Sequence, residues 1–157
     1  MGRRVQLLIF CLDDRLYALR LSQVNRVIRA VDATPLPQAP EIVLGAIDLQ
    51  GQIVPLLNIR KRFGIDDREI GVEDQFIIAA TSQRTVALAV DNVKEVVERP
   101  AEQIIATQKI LGQLDQMEGV IQLDDGLTVI HDLERFLSLD EQRVLEEALA
   151  MGSGNGK

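Results

Sequence analysis

Apolar and polar residues alternate along this chain in short runs with a period of two, the spacing of extended strands rather than helices. The first run covers residues 5–12, VQLLIFCL, and the second covers 15–21, RLYALRL. Between them stand Asp13 and Asp14, residues that tolerate the positive φ of a two-residue hairpin turn. A third run follows at 24–31, the proline-rich TPLPQAPE crosses over, and runs at 43–49 and 52–58 flank Gly51 as a second hairpin. Pro55 lies inside the last run and cannot donate to a ladder, so the pattern predicts an edge position or a bulge there. The next residues, NIRKRFG, predict a short helix stopped at Gly64.

The same pattern then returns. Residues 6–29 align without a gap on residues 75–98 at an offset of 69, matching Gln6 with Gln75, Arg15 with Arg84, Leu19 with Leu88, and Val24 and Val27 with Val93 and Val96. Residues 44–59 align on 118–133 at an offset of 74, matching Gly45 with Gly119 and Ile47 with Ile121. The second copy therefore predicts strands at 75–81, 84–91, 93–99, 118–123 and 127–131, followed by DLERFL. Five short strands cannot lie flat with open edges, so each copy is expected to close into a small barrel. The expected fold class is mainly β: two tandem five-stranded barrels, with short helices and a C-terminal helix. Residues 1–151 are expected to form one domain, with barrel halves at about 5–64 and 75–137 and a helix over 139–151. Ser138 followed by Glu141 is a capping box, and Val144, Leu145, Ala148 and Leu149 make one apolar stripe at helical spacing. Residues 152–157, rich in glycine, are expected to be a flexible tail.

Charge and chemistry narrow the function. The formal net charge is −7, but residues 1–62 carry +4 and the remainder −11, a dipole that a two-partner arrangement could use and that solvation of two surfaces also explains. The single cysteine, Cys11, lies on one face of the first strand and is expected to be a buried, inert thiol. The single histidine, His131, aligns with Leu57 and is expected beside the core. One His and one Cys make neither a metal cluster nor a nucleophile–base pair, so no catalytic residue, metal ligand or cofactor is assigned. The run IFCLDDR imitates the acidic metal corner of a phosphoacceptor receiver domain, but a strand and not a helix follows it, and TSQR fills the same place in the second copy. Nucleic-acid binding by a double barrel is the alternative reading, disfavoured by the acidic balance and by the shortage of aromatics. The compact basic cluster Arg60, Lys61 and Arg62 reads as the solvated face of the short helix. The opening MGRRVQLLIFCLDD lacks a cleavage site and ends in aspartates, position 6 does not signal myristoylation, and no run approaches the roughly 18 apolar residues of a membrane helix. A cytoplasmic protein is expected.

The stretches FCLDDRLYALRLSQVNRVIRA, TPLPQAPEIVLGAIDLQGQIVPLLNIRKRFG and VALAVDNVKEVV resemble the CheW-like coupling proteins of bacterial chemosensory arrays. The resemblance runs from about residue 5 to 150 and is most specific where Pro40, Gly45, Gly51, Pro55 and the RFG ending fall at the family's spacing. It implies two SH3-like barrels side by side and an adaptor without catalysis. The implied partners are the cytoplasmic tip of a chemoreceptor and the regulatory domain of a CheA-type histidine kinase, in a flagellar, pilus-linked or other chemosensory pathway. The implied location is the cytoplasm, at receptor arrays held by those partners. Expected partner-binding residues are Val24, Val27, Leu44 and Ala46, with Asp48, Gln50 and Gly51 at the hinge. Family members commonly carry Asn-Leu-Arg-Gly at that hinge, where this chain has Asp48, Leu49, Gln50 and Gly51. Strand alternation sends Ile47 and Leu49 inward and Asp48 and Gln50 outward, so the resemblance implies a coupling surface whose charge is reversed here.

Overall fold

The computed structural model describes residues 2–106 and 117–154. Eleven strands are present among them: β1 (Arg4–Leu12), β2 (Arg15–Arg20), β3 (Val24–Arg29), β4 (Val43–Leu49), β5 (Gln52–Leu57), β6 (Gln75–Ala80), β7 (Thr85–Val90), β8 (Asn92–Pro100), β9 (Ile105–Ala106), β10 (Met117–Leu123) and β11 (Gly126–His131). Helix α1 spans Ile59–Phe63 and α2 spans Leu139–Gly154, with single 3-10 turns at Leu21–Gln23, Ala101–Gln103 and Leu133–Arg135. The period of two therefore locates every long strand to within a few residues.

The pairing of those strands differs from consecutive halves at 5–64 and 75–137. One sheet runs β8-β1-β2-β11-β10-β9 and the other β3-β6-β7-β5-β4, so each draws strands from both copies of the repeat. The third strand of each copy leaves its own hairpin and pairs with the first strand of the other: β3 lies antiparallel to β6, and β8 to β1. The second strand of each copy lies parallel to the last strand of the other, β2 beside β11 and β7 beside β5. Exchanging the two copies maps one sheet onto the other, a pseudo-twofold relation that the repeat itself encodes. The six-strand count arises because the chain after β8 turns and adds β9 against β10. In the other sheet the corresponding closure is a single bridge between Thr34 and Ala46.

Closure explains two glycines. A Cβ on Gly45 would stand 2.6 Å from the Thr34 carbonyl oxygen, and one on Gly119 would stand 2.5 Å from that of Ile105. Each glycine lets the closing segment cross its strand at backbone contact, and the repeat places one in each barrel.

Side chains on the two faces of the strands fill three clusters. Val5, Leu7 and Ile9 of β1 join Ile121 and Ile130 inside the six-strand barrel, while Phe76 and Ile78 of β6 join Ile47 and Leu56 inside the other. The opposite faces, Leu8, Phe10 and Leu12 with Ile77 and Ala79, meet in a third core between the barrels. Leu19 and Leu88 both lie in this shared core, fully buried, at equivalent places. His131 is buried beside it, its ring stacked on Phe63 at a centroid distance of 3.6 Å.

Several local expectations need correction. Pro55 is on neither an edge strand nor a bulge: β5 lies between β7 and β4, and its ladder to β7 begins one residue later, at Leu56. Cys11 is half-buried; burial pushes its thiol pKa up, which keeps it protonated at neutral pH. Helix α2 starts on the capping box, with Glu141 N–H donating to Ser138 Oγ at 3.1 Å and Ser138 N–H to Glu141 Oε1 at 2.8 Å. It runs on to Gly154, into the stretch expected as a tail; residues 155–157 lie outside the described residues.

The basic cluster at 60–62 is mostly structural, and it resolves the charge asymmetry. Arg60 is buried, and its guanidinium donates to Asp13 at 2.8 Å and to Asp91 at 2.9 Å. Arg62 donates to Glu141 at 2.6 Å, which holds α2 against α1. Arg4 pairs with Glu98, and Arg20 with Glu118. Apart from Arg60–Asp13, which lies within the basic half, each of these pairs joins an arginine of the basic half to an acid of the acidic half, so part of the dipole is spent inside the molecule. Burial alone would raise the Asp91 carboxyl, but hydrogen bonds from Arg60, the Asp13 N–H and Arg68 outweigh it and hold its pKa below the ordinary value of 3.8. A carboxylate depressed in the folded state contributes stability above its unfolded pKa and loses it as pH falls through the folded value. Urea midpoints should therefore hold near neutrality and fall below about pH 4. Asp91→Asn should cost stability at pH 7 and close the gap to the parent as the pH drops; a gap that widened on acidification would remove the pair from the account.

Candidate functional site

The hinge of the β4–β5 hairpin is a two-residue turn with both central residues left-handed, Gln50 at φ 55° and Gly51 at φ 92°. That combination is the turn whose twist matches two antiparallel strands. The Asp48 side chain accepts the Gly51 N–H at 2.8 Å, so its carboxylate fastens the turn while remaining exposed. Ile47 is buried and Leu49 packs against the barrel interior, which sends Asp48 and Gln50 outward as alternation requires. Ile53, opposite Asp48, is 52% exposed and adds an apolar contact to the same face. The hairpin register that turns Asp48 outward turns Ile53 outward with it, and the sequence reading did not single this residue out.

The other expected residues do not all join this face. Val24 and Val27 on β3 oppose Ala79 and Ile77 of β6 and pack, partly covered, on the core between the barrels. They border the seam, with three strands between β3 and β4 in the sheet. Ala46 is 8% exposed, closed over by its bridge to Thr34. Leu44 departs furthest: the pairing of β4 with β5 slips between Val43 and Gly45, so Leu44 is a bulged residue outside the alternation. It sits at the end of the barrel opposite the hinge and turns into a cleft there, 41% exposed. Apart from the covered Ala46, the expected residues thus divide into a hinge face (Asp48, Gln50, Gly51), a seam (Val24, Val27) and a barrel mouth (Leu44).

Two interlocked barrels closed at glycines of equivalent position find a counterpart among known domains, because the CheW-like domain matches residues 6–141. The chain belongs to the CheW-like domain family. Among its relatives, chemotaxis protein CheW of Treponema pallidum is 23% identical over 146 residues, covering 89% of this chain and 86% of that one. Chemotaxis protein CheW of Rhizobium meliloti is 26% identical, covering 87% and 90%, and that of Thermotoga maritima is 27% identical, covering 86% and 89%. The crystal structure of the scaffolding protein TtCheW from Thermoanaerobacter tengcongensis superposes with a TM-score of 0.79 at 28% identity, covering 90% of this chain and 96% of that one. As a CheW-like domain the chain is a non-catalytic scaffold of chemotaxis signalling. No helix among the described residues is long and apolar enough to cross a membrane.

Proposed function

We propose that this chain couples the cytoplasmic tip of a chemoreceptor to the regulatory domain of a CheA-type histidine kinase, in the cytoplasm at receptor arrays. The observation that carries the reading is the pseudo-twofold exchange of the barrels. It presents two faces of one design with different side chains. At the first hinge the exposed side chains include Asp48, Gln50, Gln52 and Ile53; at the second, the β10–β11 turn, they include Gln122, Asp124 and Leu127, beside Asp125 paired to Lys94 at 3.2 Å. Two related but non-identical faces suit two different partners in one assembly. The seam bordered by Val24 and Val27 is the place for a helical receptor tip, since apolar side chains in a groove take a helix at its i, i+3, i+4 spacing. Aspartate at Val27 is expected to abolish tip binding in a protein that still folds; undiminished binding would move the receptor elsewhere.

The hinge face is the place for the second contact, and Gln50 sets its strength. Glutamine offers hydrogen bonds but not the bidentate, charge-assisted pair that arginine makes with a carboxylate, and the adjacent Asp48 repels acid. We expect Gln50→Arg to reduce affinity for this chain's own kinase or receptor, as measured by calorimetry, which would mark a hinge fitted to a partner other than an acidic one. A gain of about tenfold, or ~1.4 kcal/mol, would instead make Gln50 a weakened form of the common site.

A further inference from the structure

We propose that the mouth of the five-strand barrel is a binding site for a protein segment that presents an apolar side chain with lysine or arginine beside it. The pseudo-twofold relation reveals it. Leu44 and Glu118 are equivalent bulged residues, each just before a closing glycine, and Ala89 and Arg20 are equivalent residues near the ends of β7 and β2. In the six-strand barrel Arg20 Nε donates to Glu118 at 2.8 Å, and the ion pair spans the mouth. In the five-strand barrel the same two positions are apolar and short. A cleft of about 570 Å3 opens between them, with Leu56 and Ala89 in its floor. Its rim carries Val31, Leu44 and Ile70, which are 49%, 41% and 37% exposed. The hollow near Arg20 on the other barrel is about 400 Å3, is lined by residues 3–6 and 20–22, and does not reach Glu118.

The charge around the cleft selects the occupant. Five lining residues are acidic and two are basic, Arg60 and Arg68. Both guanidiniums are already held, Arg60 by Asp13 and Asp91 and Arg68 by Asp74 and Asp91, so neither is left over for an anion. Asp32 and Glu69, by contrast, have no hydrogen bond or ion pair to their carboxylates among the described residues. An apolar floor ringed by unspent carboxylates complements an aliphatic anchor flanked by cations. Arg60 donating to the Asp66 carbonyl at 2.9 Å, and Arg68 paired with Asp91, tie residues 66–74 to the cleft before anything binds, which lowers the ordering cost of binding. This site is separate from the hinge and the seam, so the inference stands or falls apart from the identity of the chemotaxis partners.

The test is a 15N NMR titration of the full chain with acetyl-Arg-Leu-Arg-amide, its Gln-Leu-Gln analogue and its Glu-Leu-Glu analogue. The basic peptide should shift amides at 31–33, 44–45, 67–70 and 89–91 saturably, less so as salt is raised; the neutral peptide should bind more weakly and the acidic one should leave the spectrum unchanged. Leu44→Glu combined with Ala89→Arg transplants the ion pair of the other barrel and should weaken the basic peptide by about tenfold or more. Glu69→Gln, at an exposed position outside the core, should weaken it while preserving the parent spectrum, and decides the matter if the double variant does not fold. Equal response to all three peptides, shifts centred elsewhere, or binding undiminished in Glu69→Gln or in a folded double variant would overturn the proposal.

Discussion

Alanine at Gly45 is expected to lower stability by about 3 kcal/mol, and alanine at Gly119 by about 1–3 kcal/mol. The built Cβ would overlap a backbone carbonyl at 2.6 Å in the first case and 2.5 Å in the second, and backbone held by the closing hydrogen bonds, through the Thr34–Ala46 bridge or the β9–β10 pair, cannot swing aside as a flexible side chain can. Gly45 also has φ 156°, at the margin of the region that disfavours side chains, which puts its cost above that of Gly119. In a chain of this size 3 kcal/mol corresponds to a fall in Tm of about 10 °C. Gly51 supplies the control: its φ is 92°, but nothing lies within 4 Å of an added Cβ, so Gly51→Ala should cost only the backbone strain, about 1 kcal/mol. Thermal melts followed by circular dichroism would compare the three. If Gly45→Ala melted no lower than Gly51→Ala, the closure of the barrel through Thr34 would not have the tightness described.

Division of the chain should have a still larger effect. Fragments 1–64 and 65–157 each contain a full copy of the strand pattern, and consecutive barrels would let each fold alone. The observed ladders forbid it. The pairings β1–β8, β2–β11, β3–β6 and β5–β7 all cross the cut, leaving the first fragment with two isolated hairpins and an unpaired strand. Isolated hairpins are marginal in water, so each fragment should lack a cooperative unfolding transition, and mixing the two should restore one. A separate fragment that unfolded cooperatively would show that the interleaving is dispensable and that the chain is two domains rather than one.

These two expectations mark where sequence reading stops. Strand positions were legible because side-chain alternation is local: Asp13 and Gly51 announced turns, and the offset of 69 announced a second copy. Partner choice was not, since β3 and β8 are equivalents in the repeat and either could pair with its own hairpin or the other without altering the pattern. One signal was available. Residues 7–12 are apolar throughout, and a strand with both faces covered must lie between two cores, as β1 does with Leu7 and Ile9 inward and Leu8 and Phe10 toward the other barrel. The basic run at 60–62 misled for a related reason: charge in a short helix usually means solvent, and the aspartates that hold Arg60 come from positions 13 and 91. At the candidate site, the outward direction of Asp48 and Gln50 followed from alternation alone. Leu44 did not, because a bulge shifts the phase by one residue and leaves no trace in composition.

The central claim is that this chain joins a receptor to a kinase without chemistry of its own. Its most direct measurement is autophosphorylation of the cognate CheA-type kinase, mixed with receptor signalling fragments, with and without the purified chain. The account predicts that receptor control of the kinase appears only when the chain is added, that it is lost with aspartate at Val27, and that the chain itself incorporates no phosphate. Receptor control of equal size without the chain, or binding of the chain to neither partner, would contradict it.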